Sequence, residues 1–351
     1  MFRIISPILR ASQASTSKYQ VFHRVLLSDR TYSRMPASQP SIQDIKEIIP
    51  PLSSELHKGQ AGRVGVIGGS EDYTGAPYFS AISALKFGAD LAHVICELGA
   101  GVVIKSYSPD LIVHPYLRKS ERNTELTVDE IVENVTPLFS RLHVLVFGPG
   151  LSRDSNMLEI TKRLIQVARE KEIPIVIDAD GLYLIQKHPE IIQGYQKAVL
   201  TPNVVEFKRL CETMGIENAP ESKDDMAKNL SNAFGGVTVV QKGHEDIISN
   251  GETVYVCNAE GGLKRCGGQG DVLSGAIATF LAFGIGYENQ VWKHSSNIPF
   301  HNIIPIASYA GCLAVRSCSK KAFDRVRRSM QTSDLIHEIG PVFQSMFEKE
   351  D

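Results

Sequence analysis

The sequence lacks a large excess of charge of either sign. Its 37 lysines and arginines are balanced by 39 aspartates and glutamates, which leaves a formal net charge of −2. A chain so close to neutral has no overall electrostatic field that would draw it to a nucleic acid or to an anionic membrane. We therefore expect small molecules as partners and neither nucleic acid nor membrane. The sequence predicts no particular oligomeric state.

Cysteine is scarce, and it is not spaced as in a metal site. The six cysteines include no C-x-x-C pair, and the 10 histidines form no cluster at zinc spacing. This usage is typical of a reducing compartment, where cysteine serves mainly as a small apolar side chain. Long hydrophobic runs are missing too. The run after Asp271 comes nearest to the roughly 18 residues that span a bilayer, and we expect it to be too short.

Acidic residues are absent from the first 28 positions, which carry five serines and the basic residues Arg3, Arg10, Lys18 and Arg24. This composition is typical of a mitochondrial transit peptide, although an ordinary disordered tail would also fit it. Met35 offers a second start that would give a cytoplasmic form. We expect residues 1–35 to be a targeting or disordered segment, residues 36–56 a linker with a short helix, and residues 57–351 a single catalytic domain.

Short apolar runs rich in valine and isoleucine alternate with longer helix-like segments over the rest of the chain. Strands are predicted at residues 63–67, 91–96, 111–114, 143–147, 173–177, 198–200, 237–241, 246–248 and 254–257. Helices are predicted at residues 42–48, 76–87, 127–139, 156–171, 204–214, 222–233, 304–318 and 333–347. We therefore predict an α/β domain with a mostly parallel central sheet, helices on both faces, and a hairpin at residues 246–257.

In sheets of this kind ligands bind outside the carboxyl ends of the strands, so the loops at those ends form the candidate site. The nucleotide-binding motifs G-x-G-x-x-G and G-x-x-x-x-G-K-[ST] are both absent, which excludes Rossmann redox chemistry and a P-loop at the level of motifs. Glycines do follow two strands, at positions 68–69 and 148–150. Each of these turns either lets a ligand approach the backbone or is simply a good turn.

Residues 261–284 read GGLKRCGGQGDVLSGAIATFLAFG, a glycine-rich turn followed by a run of small and apolar residues. Free N–H groups and the helix dipole make such a helix start a binding site for anions such as phosphate. The carboxylate of Asp271 at the mouth of this site would repel phosphate unless it has chemistry to perform. We interpret Asp271 as a general base that takes a proton from a substrate hydroxyl as that oxygen attacks a phosphoryl group.

Polar residues after three other strands each allow two interpretations. Asn203 and Glu206 lie one helical turn apart, so they either orient Mg²⁺ through its water shell or form an ordinary capping box. Asp178 and Asp180 follow another strand. They either have a metal- or phosphate-linked role or, in the case of Asp180, cap the next helix. Lys242 either meets a nucleotide phosphate or lies in a solvated hairpin connection.

Together these loops resemble those of the ribokinase-type fold, whose kinases use a G-x-G-D anion hole and an N-x-x-E pair that affects Mg²⁺. Within that fold the chain closely resembles the ATP-dependent NAD(P)H-hydrate dehydratases. The resemblance runs from about residue 57 to the C-terminus and rests on HKGQ (57–60), YTGAPY (73–78), YSPDLIVHP (107–115), GPG (148–150), VIDADGL (176–182), LTPNVVEF (200–207), QKG (241–243) and CGGQGD (266–271).

The resemblance implies dehydration of the S-epimers of hydrated NADH and NADPH (NADHX and NADPHX), with ATP as co-substrate, Mg²⁺ as cofactor, and NAD(P)H, ADP and phosphate as products. It implies catalysis by Asp271, Gly268 and Gly270. It implies contacts with the hydrated dinucleotide at Gly150, Asn203, Val204, Val205, Glu206, Phe207, Lys208, Arg209 and Asp271. It implies contacts with ATP at Lys242, Gly243, His244, Glu245, Asp246, Gly261, Gly262, Leu263, Lys264, Arg265, Cys266, Gly267, Gly268, Gln269 and Gly270. Asn203 and Glu206 would act on Mg²⁺ through water.

Two features depart from the family pattern, and two other functions are open. Ser152 stands where many relatives have another glycine, and residues 293–305 look like an insertion, most simply a surface loop. The same fold would also suit a kinase of a small alcohol such as a vitamin precursor. A nucleotide-binding sensor without turnover is the third alternative, against which the intact pair Gly270 and Asp271 speaks.

Overall fold

The computed structural model describes residues 39–121, 126–216 and 223–348 of the chain. The predicted targeting segment, residues 1–35, lies outside the described residues together with the second start at Met35, and both stay predictions. The predicted start of one helix at Ser222 also lies outside them.

Within the described residues, one sheet of nine strands forms the centre of the fold. Its order is β3-β2-β1-β4-β5-β6-β7-β8-β9, in which β1 to β7 are parallel and the last two strands form an antiparallel hairpin. The predicted sheet and hairpin are thus confirmed. The strands are β1 (Arg63–Ile67), β2 (Leu91–Glu97), β3 (Ile112–Leu117), β4 (Val144–Phe147), β5 (Ile175–Ile177), β6 (Ala198–Leu200), β7 (Thr238–Gln241), β8 (Asp246–Ser249) and β9 (Val254–Cys257).

Helices connect most of the strands, and most of them lie where the sequence predicts them. The predicted helix at residues 333–347 is wrong as a single element, because it divides into α11, α12 and a π-helical turn, Gln344–Glu348. The helices are α1 (Ile42–Glu47), α2 (Gly75–Lys86), α3 (Leu98–Tyr107), α4 (Val128–Phe139), α5 (Ser155–Glu170), α6 (Asp180–Lys187), α7 (Val204–Thr213), α8 (Lys223–Ala233), α9 (Gln269–Glu288), α10 (Phe300–Val326), α11 (Thr332–His337) and α12 (Ile339–Phe343).

Helix α3 was not predicted, because its sequence, LGAGVVIKSY, is rich in glycine and β-branched residues. The helix follows β2 without a loop. The buried carboxylate of Glu97 accepts hydrogen bonds from the N–H groups of Gly99 and Ala100 at 2.8 and 3.1 Å, and so caps the first turn.

The sheet is buried on both faces, which explains the runs of valine and isoleucine in its strands. Helices α2, α9 and α10 contribute to one apolar cluster, which includes Val66, Val146 and Val176 of the sheet. Helices α4 to α8 contribute to the other cluster, where the alternate strand positions Phe147 and Ile177 point. Because successive side chains along a strand point to opposite faces of the sheet, each strand contributes to both apolar clusters.

The short helix predicted within residues 36–56 is confirmed as α1, and Ile45 and Ile48 of this region are buried in the core. One prediction about a connecting segment is wrong. The expected surface loop at residues 293–305 is a loop only in its first part, because α10 begins at Phe300. Ile303 and Ile304, on the first turns of α10, are buried in the core next to α9.

Helix α9 is also longer than expected. It has 20 residues and is long and apolar enough to cross a membrane by length and composition, so the expectation that the run is too short is wrong. Almost the whole helix from Val272 to Tyr287 is buried between the sheet and its neighbours α2 and α10. The apolar composition of α9 is therefore that of a core helix.

Candidate active site

The carboxyl ends of β1, β4 and β5 bring three loops together at one edge of the sheet. The N–H of Gly69 donates to the carbonyl of Pro149 at 2.9 Å, and the hydroxyl of Ser70 donates to the carbonyl of Gly150 at 3.0 Å. Beyond β1 the chain proceeds to β2 on one side, whereas β4 lies on the other side. The loops after β1 and β4 thus flank the point where strand order reverses, which is the usual ligand site in such sheets.

Gly148 is required by close backbone approach in this cluster. Its φ is +117°, and a Cβ there would lie 1.9 Å from the carbonyl oxygen of Asp178. No side chain fits in that space. The glycine at this turn is thus required by the loop after β5, and the approach of a ligand to this turn stays a prediction.

Ser152 adopts the left-handed backbone conformation that a glycine would favour, with φ of +76°. Its N–H donates to the carboxylate of Asp180 at 3.0 Å, and its hydroxyl accepts from the N–H of Asp154 at 3.2 Å. These hydrogen bonds hold the strained conformation. Ser152 therefore keeps this part of the loop in the left-handed region, as a glycine would.

An ion pair between Asp178 and Lys242 lies at the centre of the site. Lys242 Nζ is 2.8 Å from Asp178 Oδ1, and only 3% of the Asp178 side chain and 20% of the Lys242 side chain are exposed. The N–H of Lys242 donates to the carbonyl of Pro202, which ties the loop after β7 to the loop after β6. Of the two interpretations of Lys242, the solvated hairpin connection is thus wrong.

Asp271 faces this ion pair from the start of α9. Burial, and next the negative charge of Asp178, raise the pKa of Asp271 to about 7, although Lys242 acts in the opposite direction. The adjoining residue, Gly270, leaves room for the pair, because a Cβ there would lie 3.3 Å from Lys242 Nζ and 3.5 Å from Asp178 Oδ2. A carboxyl with a pKa near 7 is matched to general-base work at neutral pH.

The turn before α9 has the geometry expected of an anion site. Gly268 has φ of +96° and precedes Gln269, the first residue of a helix 20 residues long. The N–H groups of the first turn have no partners in the helix, and the dipole of so long a helix adds positive potential there. The predicted helix start is therefore confirmed, with Asp271 in its first turn. The binding of an anion there stays a prediction.

Asn203 and Glu206 form the capping box of α7. Asn203 Oδ1 accepts from the N–H groups of Val205 and Glu206 at 2.9 and 3.0 Å, and Glu206 Oε2 accepts from the N–H of Asn203 at 2.8 Å. Burial and the charge of Asp178 also raise the pKa of Glu206, against the effects of the Asn203 N–H, Lys242 and Arg209. The capping interpretation is confirmed, and Glu206 remains electrostatically coupled to the central ion pair.

The remaining residues of the predicted dinucleotide-binding run are divided between solvent and core. Val204 and Val205 are exposed by 63% and 58%, and Lys208 and Arg209 are exposed as well. The side chain of Phe207 instead packs in the core below α7. Their contacts with a substrate stay predictions, and for Phe207 they would have to involve its backbone.

The two segments predicted to bind ATP lie side by side against α10. In the first, His244 is exposed, and the carboxylate of Asp246 is paired with Arg316. In the second, Gly262 is buried against α10 and Leu263 is 79% exposed. Five other residues of the second segment are half-buried or exposed: Gly261, Lys264, Arg265, Cys266 and Gly267.

Within the described residues, no group of three or more His, Cys, Asp or Glu side chains could hold a metal ion by itself. The carboxylates that do face the site, from Asp178, Glu206 and Asp271, are hard oxygen donors of the kind that Mg²⁺ prefers. Mg²⁺ retains several waters and uses substrate phosphates as ligands. A site with scattered carboxylates therefore fits Mg²⁺ held through water.

The sequence suggests only a metal- or phosphate-linked role for Asp178 and does not predict its ion pair. Asp178 is directly after β5, and its side chain accepts a hydrogen bond from a residue 64 positions later. An acid that immediately follows a fully buried strand was the available signal. Nothing local in the sequence indicated that Lys242 would be its partner.

A family profile described as NAD(P)H-hydrate dehydratase matches residues 64–341. The chain belongs to this family. A relative from Phaeosphaeria nodorum, named ATP-dependent (S)-NAD(P)H-hydrate dehydratase, is 47% identical over 312 residues, which cover 88% of this chain and 96% of the relative. A human relative with the same name is 47% identical over 311 residues, which cover 88% of this chain and 85% of the relative.

The fold of this member of the NAD(P)H-hydrate dehydratase family is ribokinase-like, as predicted. A ribokinase-like superfamily protein from Enterococcus faecalis superposes with a TM-score of 0.68 at 21% identity, covering 88% of this chain and 96% of that chain. The ADP/ATP-dependent NAD(P)H-hydrate dehydratase from Bacillus subtilis, co-crystallised with ATP and Mg²⁺, superposes with a TM-score of 0.63 at 18% identity. That match covers 89% of this chain and all of the Bacillus chain.

Proposed function

We propose that this protein is an ATP-dependent dehydratase of the S-epimers of NADHX and NADPHX, a lyase that repairs hydrated nicotinamide nucleotides. One observation carries the proposal: Asp271, with its pKa raised to about 7, lies in the first turn of α9 beside Lys242. That combination provides a base next to an anion site. The names of the curated relatives, at 46–47% identity, support the choice of substrate.

In the first step Asp271 takes the proton of the hydroxyl on the hydrated nicotinamide ring. The freed oxygen attacks the γ-phosphorus of ATP, an O–P bond forms, and the bond to the departing ADP oxygen breaks. The N–H groups of residues 268–271 and the ammonium of Lys242 stabilise the negative charge on the transferring phosphoryl group. Asp178 holds that ammonium in place.

In the second step the ring nitrogen lone pair expels the phosphate, which is a far better leaving group than hydroxide. Loss of a proton from the neighbouring ring carbon restores the double bond and gives NAD(P)H with inorganic phosphate. Mg²⁺, when bound, neutralises charge on the ATP phosphates. Asn203 and Glu206 would orient the water around Mg²⁺, with Gly150 and the start of α7 against the dinucleotide.

The test is incubation of chemically hydrated NADH with the protein, ATP and Mg²⁺. We expect the absorbance of NADH to return, with one ADP and one phosphate released per NADH and only the S-epimer consumed. Omission of ATP should abolish the recovery. A stable phosphorylated product without NADH would instead identify a kinase, and ATP binding without any turnover would identify a sensor.

We further propose that the transcript yields a mitochondrial form and, from Met35, a cytoplasmic form. The absence of acids before Asp29 and the basic residues among the first 28 positions support this proposal. Fluorescent fusions of the full chain, and of a chain that starts at Met35, test it in cells. The full chain should enter mitochondria and the shorter chain should stay in the cytosol, whereas identical distributions would contradict the proposal.

A further inference from the structure

One arginine of α10 donates hydrogen bonds to the first segment that is proposed to bind ATP and to the chain just before the second segment. Arg316 Nε and Nη2 donate to the two carboxylate oxygens of Asp246 at 2.6 and 2.8 Å. Nη2 also donates to the carbonyl of Gly243 at 2.9 Å, and Nη1 donates to the carbonyls of His244 and Ala259 at 2.8 and 3.1 Å. An arginine has five N–H donors, so all five are used.

The ion pair is largely out of solvent and is reinforced from within the loop. The side chains of Arg316 and Asp246 are 13% and 9% exposed. Asp246 Oδ1 also accepts from the N–H of Gly243 at 3.0 Å, which closes the turn between β7 and β8 on itself. A buried ion pair of this kind adds little net stability over apolar packing, and its particular contribution is to fix geometry.

The second ATP segment is held by the same face of α10. Ala259, which accepts from Arg316, lies two residues before this segment begins. One helical turn further along α10, Ser319 Oγ accepts from the N–H of Gly262 at 3.2 Å. A Cβ at Gly262 would lie 2.6 Å from the carbonyl oxygen of Ser319, so the segment runs directly against the helix.

Arg316 also neutralises groups that would repel ATP. The carbonyl oxygens of Gly243 and His244 and the carboxylate of Asp246 all carry negative charge or partial charge. Each is directed to the guanidinium of Arg316. A polyphosphate that approaches this segment therefore meets a loop whose negative groups are already satisfied.

We propose that Arg316 is a positioning residue for ATP, which joins the segments 242–246 and 261–270 into one nucleotide-binding surface. The inference rests on the proposed function, since it assumes that these segments bind ATP. Arg316 acts through Gly243, His244 and Asp246, and takes no part in the chemistry.

The experiment measures binding of ATP with Mg²⁺ to the full chain by titration calorimetry, without the hydrated dinucleotide, and then steady-state kinetics. Arg316→Gln should raise the Kd and the KM for ATP about tenfold or more, because several charge-assisted hydrogen bonds are lost. Its KM for the hydrated dinucleotide should change less than about twofold, a split that a general loss of folding would not produce. Arg316→Lys should rescue binding only in part, because lysine has three donors and lacks the planar guanidinium that can bind both carboxylate oxygens.

Arg325→Gln is the matched control, since Arg325 is an exposed arginine on α10 paired with Glu338. It should leave the Kd for ATP unchanged. If Arg316→Gln does not fold, Asp246→Asn should still raise the Kd about threefold to tenfold, because it removes the charge of the pair. A folded Arg316→Gln or Asp246→Asn variant with the Kd of the wild type would overturn the proposal.

The two proposals fail differently. A wild-type protein that binds ATP but does not dehydrate its substrate refutes the proposed function, and the role of Arg316 is still decided by the Kd. A wild-type protein that does not bind ATP refutes both.

Discussion

At the scale of single residues, the site depends on two like charges and one opposite charge held close together. Asp178 has paired with Lys242, and the pair lies beside Asp271. Asp178 thus has two effects. It fixes the ammonium of Lys242, and together with burial it makes the carboxyl of Asp271 a stronger base than that of an ordinary aspartate.

Replacement of Asp271 by asparagine should lower kcat by about 10²–10⁴-fold, because the amide cannot accept the proton of the hydroxyl. The Kd for ATP should change little. In the wild type, kcat/KM should fall as the pH drops through about 7, since the pKa of Asp271 is about 7 and its protonated form is inactive. Recovery of NADH absorbance, followed for the variant and for the wild type across a pH series, measures the fall in kcat and the pH dependence of kcat/KM. An Asp271→Asn variant with undiminished kcat would contradict the mechanism.

Replacement of Asp178 by asparagine should move the pH profile to lower pH. The negative charge of Asp178 raises the pKa of Asp271, and its removal leaves the opposing effect of Lys242. The acidic limb of kcat/KM should therefore lie below that of the wild type, while the maximal rate falls because Lys242 loses its partner. Asp180→Asn, at a carboxylate that holds Ser152 instead, is the control. An unshifted limb in Asp178→Asn would show that another group controls the profile.

At the scale of elements, α9 can serve as the support of the site because its neighbours approach its backbone closely. A Cβ at Gly275 would lie 2.1 Å from the carbonyl oxygen of Ser80 in α2, and a Cβ at Gly284 would lie 2.4 Å from Ile303 in α10. Such contacts fix the axis of α9, and with it the direction in which the first-turn N–H groups point.

Replacement of Gly275 by alanine should destabilise the protein by about 1–3 kcal/mol, because α2 and α9 must separate to admit the methyl group. Urea unfolding followed by circular dichroism measures this. Gly340→Ala in α12 is the matched control: nothing lies within 4 Å of its Cβ position, so it should be neutral or stabilising by up to about 1 kcal/mol. Equal midpoints for the two variants would contradict the close packing.

At the scale of the whole molecule, buried histidines link stability to pH. The rings of His93 on β2 and His114 on β3 are stacked, with Nδ1 and Nε2 3.0 Å apart. Burial, with the charges of His114, Arg141 and Arg63, lowers the pKa of His93 to about 4. Burial and Arg63 lower the pKa of His143 to about 4 as well.

The free energy of unfolding should therefore fall as the pH drops from about 6.5 to about 4. In that window the unfolded chain binds protons at these histidines and the folded chain does not, so each one costs up to about 1.4 kcal/mol per pH unit. The variant His93→Gln should show a shallower decline in urea titrations at several pH values. His337→Gln, at an exposed position, should decline like the wild type. The prediction fails if the free energy of unfolding falls with pH equally steeply in His93→Gln and in the wild type.

Most strands and helices, the capping box at Asn203 and the start of α9 could be predicted from the sequence, because each depends on residues within one or two turns. The family resemblance came from short motifs in a fixed order. The ion pair of Asp178 could not be predicted, since it depends on an ammonium 64 positions away.

The sequence by itself determined the fold class and the family, and it singled out Asp271 as the candidate base. Only the tertiary structure paired Asp178 with Lys242, raised the pKa of Asp271, and placed Arg316 behind the loop between β7 and β8. It also showed that α9 is a core helix although its length would span a membrane. Hydrophobic periodicity and helix capping are local, because they depend on residues that are neighbours in the sequence. Burial and charge depend on which distant segments the sheet brings together, and those distances exist only in the folded chain.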